Sequence, residues 1–155
     1  MGYFYMRTSR WLIRWHVAAV FAGFAAASFS IHLYLFYVYF SSHPGVRNLA
    51  LGQVYPLSNH GAIVYLSRQE AACLSLLMAG FAFWLVGTMV VIPKAGIRRR
   101  LRHGRMAWVT DPDDPVPAVG MTVALAGLAY AAAIWKFGVP IARLAIDNGY
   151  SPTAW

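Results

Sequence analysis

Charged side chains interrupt this chain at only a few places, and the intervals between them set its architecture. No Asp, Glu, Lys or Arg occurs from Trp15 to Phe40, from Ala71 to Ile92, or from Val116 to Trp135. Each interval reaches or exceeds the roughly 20 apolar residues that cross hydrocarbon as a helix. The pattern predicts an all-α integral membrane protein with three transmembrane helices, at about residues 15–40, 71–92 and 116–138, within a single membrane domain covering 1–155. An outer loop (41–70), a basic loop (93–115) and a C-terminal tail (139–155) make up the rest.

The polar stretches carry their own signals. His43-Pro44-Gly45 ends the first helix by removing a backbone donor and freeing the chain. Two β-prone pieces, Gln53–Leu57 and Ala62–Leu66, flank Ser58-Asn59-His60-Gly61, which predicts a short hairpin whose turn uses Asn and Gly and is fixed by hydrogen bonding of His60. An isolated hairpin is marginal in water, and Ile63, Val64, Tyr65 and Leu66 are apolar on both faces, so the hairpin is expected to rest on other structure and to meet a partner. Ser67-Arg68-Gln69-Glu70 fits a capping box that starts the second helix. Pro93 closes that helix, and Lys94 suits its C-terminal dipole. Asp111-Pro112-Asp113-Asp114-Pro115 is helix-start chemistry for the third span, and Asn148–Trp155 reads as a loose tail.

Small residues repeat inside the spans at helical spacing. Ala19, Gly23 and Ala27 form one row, Ala18, Ala22, Ala26 and Ser30 another, and Cys73, Gly80 and Gly87 a third. Such rows let helices approach closely in lipid, and Gly80 and Gly87 are candidate contacts for another helix. Tyr34, Phe36, Tyr37, Tyr39 and Phe40 crowd the far end of the first span, as an interfacial aromatic belt does.

Composition and charge sharpen this picture. The chain is 59% hydrophobic and 12% charged, against about 25% charged residues in soluble domains. The net charge of +8 is not spread as a nucleic-acid-binding surface would need. Arg7, Arg10 and Arg14 precede the first span, and Lys94, Arg98, Arg99, Arg100, Arg102 and Arg105 crowd the loop between the second and third. The positive-inside rule then places the N-terminus and this loop inside, and the 41–70 loop and C-terminus outside. Arg98, Arg99, Arg100, Arg102 and Arg105 are thus topology determinants and contacts for anionic lipid headgroups, at about 1 kcal/mol each. A basic start before an apolar run also describes a signal peptide, but this run is too long for a signal core and fits an uncleaved signal anchor.

Candidate chemistry is sparse. His16 and His32 raise haem ligation, but sixteen residues of helix separate them by about 24 Å, and the other spans contain no histidine. His43 and His60 lack neighbouring acids or cysteines in sequence and form a weak metal signal. Lys136 lies about 27 Å along the helix from Ala118, at the depth where a lysine snorkels to the interface. Cys73 is the single cysteine and forms no intramolecular disulfide. No Ser–His–Asp set, P-loop or dinucleotide fingerprint appears. Neither catalytic activity nor a cofactor or metal is expected.

The outer loop reads Y-P-L-S-N-H-G-A-I-V-Y-L from Tyr55. It resembles a segment of small bacterial inner-membrane proteins in which a Y-x-L-x-N-H-G stretch lies outside the membrane and is followed by a span. The resemblance covers about a tenth of the chain; it implies a location in the bacterial inner membrane and a role for the outer loop, and no reaction. The expected function is that of a non-catalytic accessory or assembly subunit binding other membrane proteins or itself, through Tyr55, Leu57, Asn59, His60, Gly61, Tyr65, Gly80 and Gly87. The alternatives are an immunity-type protein against a membrane-active toxin and a haem-binding electron-transfer subunit.

Overall fold

A computed structural model describes residues 2–92 and 116–152, with side chains from Ile13 to Ile92 and from Val119 to Pro152. Helix α1 spans Gly2–Ser42, strands β1 and β2 span Tyr55–Asn59 and Ala62–Leu66, α2 spans Arg68–Val91 and α3 spans Val116–Asp147. Three of these helical stretches, Ile13–Ser42, Arg68–Val91 and Val119–Asp147, are long and apolar enough to cross a membrane. The chain is therefore a mostly helical, multi-pass membrane protein. Arg98, Arg99, Arg100, Arg102 and Arg105, with the rest of the 93–115 loop, lie outside the described residues.

Helix α1 is the centre of the bundle. It packs along both α2 and α3, which meet each other much less. The row predicted around Gly23 is used here: Gly23 sits against the backbone of α3 at Val123 and Gly127. Ala18, Ala19, Ala25 and Ser28 are buried beside it. In the same turn of α1 as Gly23, Phe21 and Phe24 meet Trp84, with ring centroids 5.4 and 5.0 Å away, and Phe24 stacks on Tyr130 at 4.5 Å. The Trp84 indole donates to the Tyr130 hydroxyl at 3.1 Å. That bond joins α2 to α3 inside an apolar medium, where an unmade indole donor would be costly.

Local chemistry sets the helix ends. The Ser41 and Ser42 hydroxyls donate back to the Val38 carbonyl at the end of α1, and Pro44 then prevents continuation. Helix α2 begins with the predicted capping box: the Ser67 side chain accepts from the Glu70 amide, and Glu70 Oε2 accepts from the Ser67 amide at 2.9 Å. It stops where Ile92, the residue before a proline, turns to extended backbone with ψ 126°.

Helix α3 runs beyond the predicted limit of 138 to Asp147, carrying Pro140 inside it. Membrane helices tolerate such a proline because neighbouring groups can satisfy the freed carbonyl, and Ile141–Asp147 contains only helix-compatible residues. The end is a Schellman motif: Gly149 has φ +90°, its amide donates to Ile146, and the Tyr150 amide donates to Ala145. The start of the predicted loose tail is held in place. Arg68 donates to the Tyr150 carbonyl at 3.2 Å, and Pro152 is buried.

The hairpin pairs Tyr55 with Leu66, Leu57 with Val64 and Asn59 with Ala62. The turn differs in detail from the prediction. Asn59 belongs to the strand, and His60 and Gly61 take the two positive-φ positions, at 47° and 87°, as a two-residue type I′ turn requires. His60 thus shapes the turn through its backbone.

Candidate functional site

The end of the bundle that carries the hairpin gathers most of the extramembrane structure among the described residues. Residues of opposite strands that face each other lie on one side of the sheet, so Tyr55, Leu57, Val64 and Leu66 share a face. That face is packed down onto the helices: Leu57, Val64, Leu66, Ala71 and Leu74 form one buried cluster, ringed by Leu35, Phe36, Tyr39, Phe40 and Tyr55. The aromatic residues predicted as an interfacial belt are in part the seat of the hairpin.

The hairpin is also tied at its edge. The Tyr65 amide donates to the Pro44 carbonyl at 3.1 Å, so it points away from β1. Its partner Pro56 has no N–H to offer, and the pairing leaves that position facing away from β2 as well. A proline is therefore accommodated without loss of a ladder bond.

Beneath the hairpin, one carboxylate serves two elements. Glu70 Oε2 completes the α2 cap, accepting from the Ser67 amide and hydroxyl. Glu70 Oε1 lies 3.1 Å from His43 Nε2, at the end of α1. His43 Nδ1 lies 3.1 Å from the Tyr39 carbonyl. The third helix joins this end through Arg143, which donates to the Gln69 side chain at 3.4 Å, and through Arg68 and Tyr150. The sequence discloses the capping box by its spacing. It does not disclose the His43–Glu70 contact, because the partners are 27 residues apart and belong to no local motif.

The opposite face of the hairpin is the more exposed one among the described residues. Ile63 is 45% exposed and Ser58 is exposed. Tyr65 is half-covered, with the Arg47 guanidinium carbon 5.4 Å from its ring centroid. The predicted partner residues consequently divide. Tyr55 and Leu57 point into the chain's own core. Asn59, His60 and Gly61 form the turn end, and Tyr65 lies on the outward face. Gly80 and Gly87 are occupied within the bundle: a Cβ at Gly80 would sit 3.6 Å from both the Ser28 and Tyr130 hydroxyls, and one at Gly87 would press on the Phe21 ring.

The intramembrane histidines are placed separately. His16 Nδ1 lies 3.0 Å from the Thr122 hydroxyl, and His32 Nδ1 lies 3.2 Å from the Leu74 carbonyl. Among the described residues no group of three or more His, Cys, Asp or Glu side chains is arranged to hold a metal ion. Comparison with known protein families, with curated proteins and with solved structures gives no match for this chain.

Proposed function

We propose that the protein is a non-catalytic accessory or assembly subunit of the bacterial inner membrane, which uses its extracytoplasmic hairpin to hold another membrane protein or a second copy of itself. The N-terminus and the 93–115 loop lie on the cytoplasmic side, and the hairpin and the end of α3 lie outside. The clustering of Arg ahead of the uncharged run of α1 that starts at Trp15, and of Lys and Arg between α2 and α3, supports this orientation.

One observation carries the binding role. The hairpin is fastened to α1 and α2 along one face and to Pro44 at its edge, and it presents an outward face that includes apolar Ile63 and half-covered Tyr65. A two-stranded hairpin is otherwise marginal; here it is a rigid platform, so a docking partner pays little ordering entropy.

The test compares a tagged full-length protein with its Ile63→Asp variant, both purified in mild detergent. A stoichiometric membrane-protein partner should accompany the first and be lost from the second, with hydrogen exchange of the α2 amides unchanged. A chain that purifies alone in both cases would count against the subunit reading. An absorption spectrum of the same fraction adds a second check, since a Soret band would redirect the assignment to electron transfer.

A further inference from the structure

The connection between α1 and β1 has its polarity inverted. Val46, Leu49 and Leu51 are 76%, 80% and 67% exposed, although they lie outside the three apolar spans. Beside them the exposed Arg47 lies across the Tyr65 ring, while the Asn48 side chain turns back to the backbone and accepts from the Leu51 amide at 3.2 Å. The backbone does the same: Asn48 and Gln53 exchange both their hydrogen bonds, at 3.1 and 2.9 Å, and the Gly52 amide donates to Leu49 at 3.2 Å. A turn that faces water needs no leucines at its tip. A turn that enters a lipid interface gains from them, and each backbone group paired internally is one fewer to be penalised there.

Its stems also place it at the right height. The Pro44 carbonyl is bonded to Tyr65, and the Val54 amide donates to Leu66 at 3.0 Å. Both attachments lie in the last two residues of β2, directly before the Ser67 cap of α2, where the apolar span begins. Arg47 and Arg68, both exposed, supply positive charge at this level, suited to headgroup phosphates.

We propose that the 46–51 segment is an interfacial anchor that seats Val46, Leu49 and Leu51 in the phospholipid surface beside the helices, and so fixes the height of the hairpin above the bilayer. This is independent of what the hairpin binds and of which side it faces.

The experiment uses the full-length protein with Cys73→Ala, reconstituted in phosphatidylcholine vesicles containing phosphatidylglycerol. A nitroxide is attached at Leu49→Cys, in a second protein at Leu51→Cys, and in a third at Ser58→Cys as a water-facing reference. Collision of the label with molecular oxygen and with a water-soluble nickel chelate is measured. The oxygen-to-nickel accessibility ratio should be several-fold higher at 49 and 51 than at 58. Ratios equal to that at 58 would overturn the anchor, placing the tip in water. An immobilised label protected from both reagents would overturn it too, because protein and not lipid would then cover the tip. The Leu51 label keeps the test decisive if Leu49→Cys fails to fold.

Discussion

Gly23 of α1 and Gly127 of α3 meet backbone to backbone: a Cβ on Gly127 would lie 3.2 Å from the Gly23 carbonyl oxygen, and one on Gly23 would lie 2.9 Å from the Gly127 nitrogen. No side chain can give way there, because the obstructing atoms belong to the helices themselves. Gly23→Ala should therefore push α1 and α3 apart and cost about 1–3 kcal/mol, with Gly23→Val worse. Gly120→Ala is the control, since a Cβ there meets nothing within 4 Å; it should be neutral or slightly stabilising through the helix propensity of alanine. Unfolding titrations in mixed detergent micelles measure both. Equal stability of Gly23→Ala and the parent would show that the crossing is looser than this contact implies.

Ser28 and Tyr130 are two hydroxyl-bearing residues on facing helices with opposite expected responses to deletion. Ser28 is fully buried, and its hydroxyl has no hydrogen-bond partner among the described residues. Ser28→Ala should leave stability unchanged or raise it by about 1 kcal/mol, because a buried unsatisfied group is removed. The Tyr130 hydroxyl accepts from the Trp84 indole. Tyr130→Phe should cost about 1–3 kcal/mol, because it strands that donor in an apolar interior. The same titrations, with tryptophan fluorescence as the signal, distinguish the two cases.

These contacts also mark what can be read from the sequence. The three spans are legible because lipid demands long uncharged runs, and the α2 cap is legible because Ser67 and Glu70 lie three residues apart. Gly23 is visible as one of a row of small residues, but that it meets Gly127 is a matter of which helices become neighbours, and no local pattern encodes this. The continuation of α3 through Pro140 runs against the propensity of a single residue; it follows from the medium and from contacts such as Arg143 with Gln69. At the hairpin, the strands and the site of the turn were recoverable, whereas the exact turn pair was not, because Asn59 is a better positive-φ residue than His60 and register decided against it.

His60 accordingly carries the conformational strain of the hairpin. A non-glycine residue in the left-handed region costs about 1–2 kcal/mol, and at φ 47° His60→Gly should recover part of this. Gly61→Val should lose a comparable amount or more, since a β-branched residue is unsuited to φ 87°. Hydrogen exchange at the amides of Leu57 and Val64 should slow in the first variant and quicken in the second, with the protection of α2 unchanged in both. Loss of membrane insertion by Gly61→Val would mean instead that the hairpin is required to fold the bundle.

The two oxygens of Glu70 permit the cap and the helix-to-helix contact to be separated. Glu70→Gln can still close the capping box, so it should retain α2 initiation while weakening the contact to His43. Glu70→Ala loses both and should be the more destabilised. A double-mutant cycle of His43→Ala with Glu70→Ala should return a coupling of about 0.5–3 kcal/mol, as for other side chains in direct contact. A coupling indistinguishable from zero would show that the 3.1 Å contact adds nothing to the capping role of Glu70.

The proposed sidedness rests on charge, and several of the charges invoked for it can be neutralised together. Neutralising Arg98, Arg99, Arg100 and Arg102 together leaves Lys94 and Arg105 between the second and third spans, and Arg7, Arg10 and Arg14 ahead of the uncharged run that starts at Trp15. The bias between the two sides of the membrane falls sharply, because nearby Lys and Arg set orientation more strongly than acids do. The population should then become mixed. A cysteine at Ser58, in a Cys73→Ala background, reports this directly: in intact cells an impermeant maleimide should label essentially all of the parent protein and only a fraction of the neutralised variant. Full labelling of both would assign orientation to the three N-terminal arginines, and replacing these in turn should then produce the mixed population. No labelling of the parent would place the hairpin in the cytoplasm, and the partner sought for its outward face would have to be a cytoplasmic one.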